Sequence, residues 1–186
     1  EPLFMAWWDL VGQVLGQPLH LLWAQLFERG FEPPASVPMA AYTWQRFADA
    51  SGNNAVTYET WPEHAAQRAR MGFPAIKVSM TSYHPEDHIE LVHRIRAAVG
   101  DQTAIRIDAH GTWNYQEARR ILPAVEDCNL EYIEQPVNFL LPQCYYPGGE
   151  APPPRATAAG GYQAESYFRH MTELRRQLRT PLSCHW

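Results

Sequence analysis

The chain has almost no lysine: of its 15 basic residues, only Lys77 is a lysine. Its 20 acidic residues outnumber the basic ones, and the formal net charge is −5. A protein that binds nucleic acid normally gathers Lys and Arg to neutralise phosphates, and this chain has no such run. We therefore expect no nucleic acid partner. Because Lys77 is the single lysine of the chain, its position is informative.

Long hydrophobic runs and paired cysteines are also missing. No stretch of 18 apolar residues occurs, so the sequence predicts no membrane span, and its first residues lack a secretory pattern. The three cysteines, Cys128, Cys144 and Cys184, are an odd number without the spacing of a metal site. Reduced thiols in the cytoplasm are the expectation for such a set. At 186 residues and 46% hydrophobic content, the chain can bury one sizeable core.

Strand and helix patterns alternate from residue 37 onward. The predicted strands are Val37–Trp44, Ala75–Met80, Thr103–Asp108, Leu130–Glu134 and Pro181–Cys184. Helices are predicted between them, and two begin with capping boxes, Thr60 with Glu63 and Asn114 with Glu117. This β-α alternation is typical of a parallel α/β sheet or a (β/α) barrel.

Two domains are predicted on either side of the Pro33–Pro34 break. Residues 1–36 contain two helical stretches, and residues 37–186 contain the β-α alternation. Residues 139–161 interrupt that alternation with five prolines and four glycines, which predicts a long irregular loop. The loop follows the fourth strand, so it is either a lid or a surface insertion.

Two carboxylates end neighbouring strands of this pattern. Asp108 closes the third predicted strand, and Glu134 closes the fourth, 26 residues later. One βαβ unit needs about 30 residues and makes its two strands parallel neighbours. Ligands bind at the carboxyl ends of such strands, and two converging carboxylates suit a hard cation such as Mg²⁺.

Several motifs together resemble the enolase superfamily. They are Asp108–Trp113, Tyr132–Pro136, Met5–Pro18, Phe73–Val78 and Thr180–Leu182. Within the superfamily, the likeness is to the mandelate racemase and muconate lactonizing enzyme branch. The resemblance implies a capping domain in front of a TIM-type barrel, with Mg²⁺ held by acids that end the third, fourth and fifth strands. Residues 1–36 would lead from the capping domain into the barrel. A whole barrel needs about 250 residues, so we expect this chain to contain about five of its strands.

The resemblance assigns roles to particular positions, and three of them depart from the family pattern. Asp108 and Glu134 would be metal ligands. Lys77 matches the first lysine of the family's Lys-x-Lys motif and would be catalytic, either as a positive charge in the cavity or as the base. Ser79 stands where that motif places its usual base. His110 replaces an asparagine two residues after the metal-binding aspartate, where it would be a catalytic residue that contacts substrate or metal, or else hydrogen-bond a loop carbonyl. His185 falls at the position of the third ligand, where it would be a ligand or an acid/base group. Because imidazole suits other divalent metals better than Mg²⁺, the metal would differ if His185 is a ligand. Mn²⁺ is an alternative in any case.

The implied chemistry is removal of a proton next to a carboxylate to give an enediolate that the cation stabilises. The partner would be a small-molecule carboxylate, and we expect a homo-oligomer. Asp108-x-His110-Gly111-x-Trp113 resembles the arrangement of glucarate-type dehydratases, which favours dehydration of an acid sugar. A racemase or cycloisomerase on the same scaffold is the first alternative. A non-catalytic chain with a binding or assembly role is the second.

Three aromatic residues are candidates for substrate binding. Tyr42 and Trp44 end the first predicted strand, where they would line the substrate pocket, although packing explains them equally well. Tyr83 lies just past the second strand, where it would contact substrate or replace the missing base.

Overall fold

The first part of the chain forms a pair of helices. The computed structural model describes residues 2–27, 32, 34–81, 84–137 and 164–184, and it divides into two compact units, 1–38 and 39–186. In the first unit, α1 (Pro2–Leu15) and α2 (Leu19–Phe27) are joined through Gly16, whose φ of 64° favours glycine. Trp8 packs edge-on against Trp23, with the ring centroids 5.8 Å apart. The predicted role of this segment, leading from a capping domain into a barrel, stays a prediction.

The second unit is built on a five-stranded parallel sheet whose strands lie side by side in chain order. The strands are β1 (Ala40–Thr43), β2 (Ala75–Ser79), β3 (Ala104–Asp108), β4 (Tyr132–Glu134) and β5 (Leu182–Ser183). The helices are α3 (Trp61–Arg70), α4 (Pro85–Val99), α5 (Tyr115–Ala124) and α6 (Ala164–Gln177), with a 3₁₀ turn at Glu126–Cys128. Strands in sequential order with helices between them are the arrangement of a (β/α) barrel. The predicted fold class is therefore confirmed, and the predicted loop at 139–161 lies outside the described residues.

The strands are shorter than the hydrophobic pattern predicts. The first was predicted over Val37–Trp44, yet only Ala40–Thr43 pairs with β2. Pro38 has no backbone N–H and cannot donate to the ladder. The hydrophobic pattern therefore predicts a strand that is too long, because it includes residues with strand-like side chains that do not pair with β2.

The two faces of the sheet differ sharply in character. Five side chains that point toward the helices are at most 1% exposed: Ile76, Val78, Ile105, Ile107 and Ile133. On the opposite face, Tyr42, Lys77, Arg106 and Tyr132 lie in one row of register partners and are half-buried or exposed. Since side chains alternate along a strand, the next row toward the carboxyl ends carries Ser79, Asp108 and Glu134. The hydrophobic core thus lies between sheet and helices, and the polar residues lie on the other face.

One of the two predicted capping boxes is confirmed and the other is wrong. Asn114 accepts a hydrogen bond from the Glu117 N–H at 2.9 Å, and the Glu117 carboxylate accepts one from the Asn114 N–H at 2.7 Å. Thr60 makes no such cap, because its hydroxyl accepts a hydrogen bond from the Thr57 N–H at 2.9 Å. Among the helices of the described ranges, none has the length and apolarity needed to cross a bilayer.

Candidate active site

Two carboxylates meet at the carboxyl ends of β3 and β4. Asp108 is the last residue of β3, Glu134 is the last of β4, and the two are register partners. Each is almost fully buried, with 4% of Asp108 and 8% of Glu134 exposed. The structure places both acids where the βαβ spacing predicts. Their role as metal ligands stays a prediction.

The single lysine lies between the two acids. Lys77 Nζ is 2.9 Å from Asp108 Oδ2 and 2.7 Å from Glu134 Oε2. Lys77 is on β2, the strand next to β3, and it lies two residues before the row that contains the acids. Its long side chain therefore extends along the sheet toward the carboxyl ends to reach them. We refer to Lys77, Asp108 and Glu134 as the carboxylate site. With one ammonium and two carboxylates, the site carries one net negative charge.

The environment of Lys77 keeps it protonated. Partial burial by itself lowers the pKa of Lys77, but the hydrogen bonds to Glu134 and Asp108 outweigh that effect. The resulting pKa lies well above the ordinary value of 10.5. In this arrangement Lys77 supplies positive charge and has no lone pair with which to accept a proton.

His110 follows the carboxylate site in an unusual backbone conformation. Its φ is 49°, in the left-handed region that few non-glycine residues adopt. The His110 N–H donates to Asp108 Oδ1 at 3.1 Å, and the following Gly111 N–H donates to the carbonyl of Gln135 at 2.7 Å. These bonds hold the turn and bring the imidazole back over the strand ends. Strained residues of this kind cluster at functional sites.

The imidazole of His110 contacts three oxygen atoms through one nitrogen. His110 Nε2 is 3.0 Å from Ser79 Oγ, 3.1 Å from Tyr42 Oη and 3.4 Å from Asp108 Oδ2. The structure therefore brings together Ser79, His110 and Tyr42, which sequence analysis singled out separately. The Tyr42 ring also faces Lys77 Nζ at 5.5 Å, within the range of a cation–π contact.

The remaining predicted site residues lie beside this group or outside the described part of the chain. Trp44 packs against the Tyr42 ring at 5.4 Å, and its own ring faces the Arg46 guanidinium at 5.7 Å. Trp44 thus supports Tyr42. Tyr83 and His185 are outside the described residues, so their predicted roles stay predictions.

Two residues that sequence analysis did not select share the polar face of the sheet. Ser183 on β5 is the register partner of Glu134 and continues the row of Ser79, Asp108 and Glu134. Arg106 lies two residues before Asp108 and pairs with Glu131 at 2.7 Å. Strand alternation counted back from Asp108 would have identified Arg106. Ser183 could not be placed without the register of the short strand β5.

The donor atoms at the carboxylate site fit a hard divalent cation. Asp108 and Glu134 present carboxylate oxygens from adjacent strand ends, and Lys77 neutralises only one of their two charges. Mg²⁺ is bound in proteins by one or two carboxylates with water and substrate oxygens completing the octahedron. A buried site with a residual negative charge has the electrostatic character that such an ion requires.

Residues 61–143, which include Lys77, Asp108 and Glu134, match a known protein family. That family is described as Enolase C-terminal domain-like. Its match takes in α3 through β4 and therefore all of the carboxylate site.

Three curated relatives share parts of this sequence. Protein PHYLLO, chloroplastic, from Arabidopsis thaliana is 35% identical over 124 residues, which are 64% of this chain and 6% of that protein. Chloromuconate cycloisomerase from Pseudomonas sp. (strain P51) is 32% identical over 88 residues, 47% of this chain and 23% of the enzyme. Arabinonate dehydratase from Saccharolobus solfataricus is 29% identical over 75 residues, 40% of this chain and 20% of that enzyme. The chain thus spans less than a quarter of each relative.

Solved structures share the fold of this chain at low sequence identity. The 3,6-anhydro-D-galactonate cycloisomerase from Zobellia galactanivorans superposes with a TM-score of 0.64 and 20% identity, over 95% of this chain and 38% of that one. An enolase from Bradyrhizobium, solved with magnesium and mandelic acid, gives a TM-score of 0.63 and 19% identity, over 98% of this chain and 39% of that one. The five-stranded sheet therefore corresponds to part of a barrel, and the chain spans about two fifths of these structures.

Proposed function

We propose that this chain carries part of the active site of an enolase-superfamily enzyme that removes the proton next to a substrate carboxylate with the help of Mg²⁺. The observation that carries this proposal is the carboxylate site, where two buried acids share one lysine at 2.7 and 2.9 Å. The family match over residues 61–143 supports it, because that match contains all three residues.

In this proposal each residue of the carboxylate site has a separate task. Asp108 and Glu134 hold Mg²⁺, and Mn²⁺ is an alternative because it accepts the same oxygen ligands. When bound there, the ion supplies positive charge to the substrate carboxylate as the neighbouring proton leaves. Lys77 adds a second positive charge close to that carboxylate. The magnesium in the Bradyrhizobium structure supports this choice of metal.

We propose His110 as the proton acceptor. The family's second lysine is replaced by Ser79, whose hydroxyl cannot remove such a proton without assistance. His110 Nε2 lies 3.0 Å from Ser79 Oγ and 3.1 Å from Tyr42 Oη, so the imidazole stands beside the position of the missing lysine. The two hydroxyls orient the ring, and an imidazole in such a position is a common general base. The predicted role of His185 as a further ligand or acid/base group stays part of this proposal.

The reaction that follows proton removal distinguishes two specific functions. Dehydration of an acid sugar is our first proposal, because Asp108-x-His110-Gly111-x-Trp113 resembles the glucarate-type pattern and a relative is named arabinonate dehydratase. Isomerisation is the second, because another relative is named chloromuconate cycloisomerase. In dehydration a β-hydroxyl leaves after the proton, so water is lost, whereas in isomerisation no group is lost and a proton returns to the molecule. We further propose that α1 and α2 lead into the barrel from a capping domain.

Metal binding tests the first step of this proposal. We expect calorimetry to show that Asp108→Asn and Glu134→Gln each weaken Mg²⁺ binding at least tenfold. Asp101→Asn and Glu131→Gln are matched controls, because both acids are exposed and lie outside the carboxylate site. Unchanged affinity in the two site variants would refute the assignment of the ligands.

Proton exchange tests the catalytic step and separates the two reactions. The protein is incubated with Mg²⁺ and candidate aldonates or muconates in D₂O, and NMR follows the hydrogen on the carbon next to the carboxylate. We expect exchange into the substrate that His110→Gln abolishes while Mg²⁺ affinity is retained. A keto acid product identifies dehydration, and a rearranged or epimeric product identifies isomerisation. Mg²⁺ binding without exchange of any substrate would support the non-catalytic alternative.

A further inference from the structure

A second group of metal-ligand side chains lies away from the carboxylate site. It consists of His93 on α4 and of Asp127 and Cys128 in the 3₁₀ turn, and we refer to it as the His93 cluster. One ligand atom from each residue lies within 4.8 Å of the other two. His93 Nε2 is 3.0 Å from Asp127 Oδ1, and Cys128 Sγ is 3.8 Å from the same oxygen. Among the described residues, no other group of three or more His, Cys, Asp or Glu side chains has its ligand atoms this close together.

The hydrogen bonding of His93 prepares its outer nitrogen to bind a cation. His93 Nδ1 is 2.8 Å from the carbonyl oxygen of Ile89. A carbonyl only accepts, so Nδ1 must carry a hydrogen, and in the neutral ring Nε2 then presents a lone pair. That lone pair faces a carboxylate oxygen at 3.0 Å, and two acceptors at this distance repel unless a positive charge lies between them. A proton on Nε2 or a metal ion would provide that charge.

The backbone that carries the other two ligands is held in place. The Arg96 side chain donates to the carbonyls of Cys128 at 2.7 Å and Asn129 at 3.2 Å. Asn129 ends the 3₁₀ turn in a left-handed conformation with φ of 48°. On the other side of the turn, Glu126 accepts hydrogen bonds from the N–H groups of Arg179 and Thr180 at 3.0 and 2.9 Å. The turn is therefore fixed before any ligand binds.

The cluster has one protected ligand and two accessible ones. Cys128 is 2% exposed, whereas the side chains of His93 and Asp127 are 40% and 74% exposed. An ion can therefore reach the cluster from solvent and bind with a sulfur atom beneath it. Imidazole, carboxylate and thiolate are together the ligands of Zn²⁺ and related borderline metals, and sulfur disfavours Mg²⁺ and Ca²⁺. A tetrahedral ion with bonds of about 2.0 to 2.3 Å separates its ligands by about 3.3 to 3.8 Å, and the ligand atoms here lie within 4.8 Å of one another.

We propose that His93 Nε2, Asp127 Oδ1 and Cys128 Sγ bind a Zn²⁺-class ion, with water as the fourth ligand. On binding, the Cys128 thiol releases its proton to solvent, and the sulfur–metal bond forms in its place. The ion links α4 to the turn that leads into β4, on the helix side of the sheet. This site is separate from the carboxylate site and does not depend on the proposed reaction.

Cobalt is the probe for this site, because Co²⁺ bound to a thiolate shows a charge-transfer absorption that oxygen ligands do not give. The protein is titrated with Co²⁺ in excess Mg²⁺, and Zn²⁺ is then added as a competitor. We expect one equivalent of Co²⁺ to produce the thiolate band and Zn²⁺ to abolish it. Cys128→Ser should remove the band, and His93→Gln and Asp127→Asn should each weaken binding at least tenfold.

Matched controls separate this site from other thiols and acids. Cys144→Ser, Cys184→Ser and Asp101→Asn should leave the band and the affinity unchanged. His93 and Asp127 are accessible, so their variants test the site even if Cys128→Ser fails to fold, and circular dichroism monitors folding. A thiolate band that survives Cys128→Ser would overturn the proposal. Unchanged affinity in both His93→Gln and Asp127→Asn would overturn it too, by identifying adventitious metal only.

Discussion

Replacing Lys77 with methionine is the sharpest test of how the carboxylate site is stabilised. Methionine is similar in length but removes the ammonium that contacts Asp108 at 2.9 Å and Glu134 at 2.7 Å. Both acids are nearly buried, and 23% of the Lys77 side chain is exposed. The variant therefore places two carboxylates side by side with no cation between them.

The expected cost follows from that geometry. Removing one partner of a buried ion pair typically costs about 3 to 5 kcal/mol. The partial exposure of Lys77 favours the lower value, so we expect a loss of about 3 kcal/mol in the free energy of unfolding. For a chain of this size, that corresponds to a fall in Tm of about 6 to 12 °C. Thermal unfolding followed by circular dichroism measures it.

The pH dependence and Mg²⁺ dependence of this effect are also fixed by the structure. Because the pKa of Lys77 is raised above 10.5, its stabilisation is complete below that pH and is lost only as the pH rises further. From about pH 6 to pH 9 the lysine therefore stays charged, and any change with pH in the difference between the wild type and Lys77→Met comes from the two acids left unpaired in the variant. Mg²⁺ should raise the Tm of Lys77→Met more than that of the wild type, since the ion replaces the missing charge.

Arg106→Met is the matched control for Lys77→Met. Arg106 is on the same face of the sheet, but its partner Glu131 is half-exposed, and such pairs contribute less than about 1 kcal/mol. If Lys77→Met lowers the Tm no more than Arg106→Met does, the electrostatic account of the carboxylate site is wrong. A Mg²⁺ response equal in Lys77→Met and the wild type would refute the claim that the ion and the lysine serve the same two acids.

Two further predictions concern stability away from the site. Asn114→Ala removes the side-chain oxygen that accepts from the Glu117 N–H in the capping box of α5 and should cost about 1 kcal/mol. The exposed Gln116→Ala on the same helix should cost much less, and urea unfolding measures both. Burial alone raises the pKa of Glu126, but hydrogen bonds from Thr180 and Arg179 outweigh it and lower the pKa from 4.5 to about 2. Because a lowered carboxylate pKa stabilises the fold above 4.5 and this stabilisation is lost as the pH falls toward 2, Glu126→Gln should be about 2 kcal/mol less stable at pH 7. That difference should shrink steeply as the pH falls from 4.5 to 2, and an undiminished difference at pH 2 would contradict the assignment.

Sequence by itself determined the features that depend on neighbouring residues. The alternation of strand and helix patterns, the cap formed by Asn114 and Glu117, and the placement of Asp108 and Glu134 at adjacent strand ends all follow from local periodicity and spacing. Such features were predictable because the hydrogen bonds and side-chain directions involved are set within one element or one βαβ unit.

Tertiary structure alone decided which side chains meet. The sequence predicted that Lys77 lies on a strand. It could not predict that the Lys77 ammonium lies between two acids, because the position of the ammonium depends on the rotamer of a long side chain. The left-handed turn at His110, which brings its imidazole to Ser79 and Tyr42, depends on the hydrogen bond from Gly111 to the next strand. His93 and Asp127 are 34 residues apart in the chain and meet only because α4 packs beside the 3₁₀ turn. Contacts between distant residues are fixed by packing of the whole domain, and no local pattern encodes them.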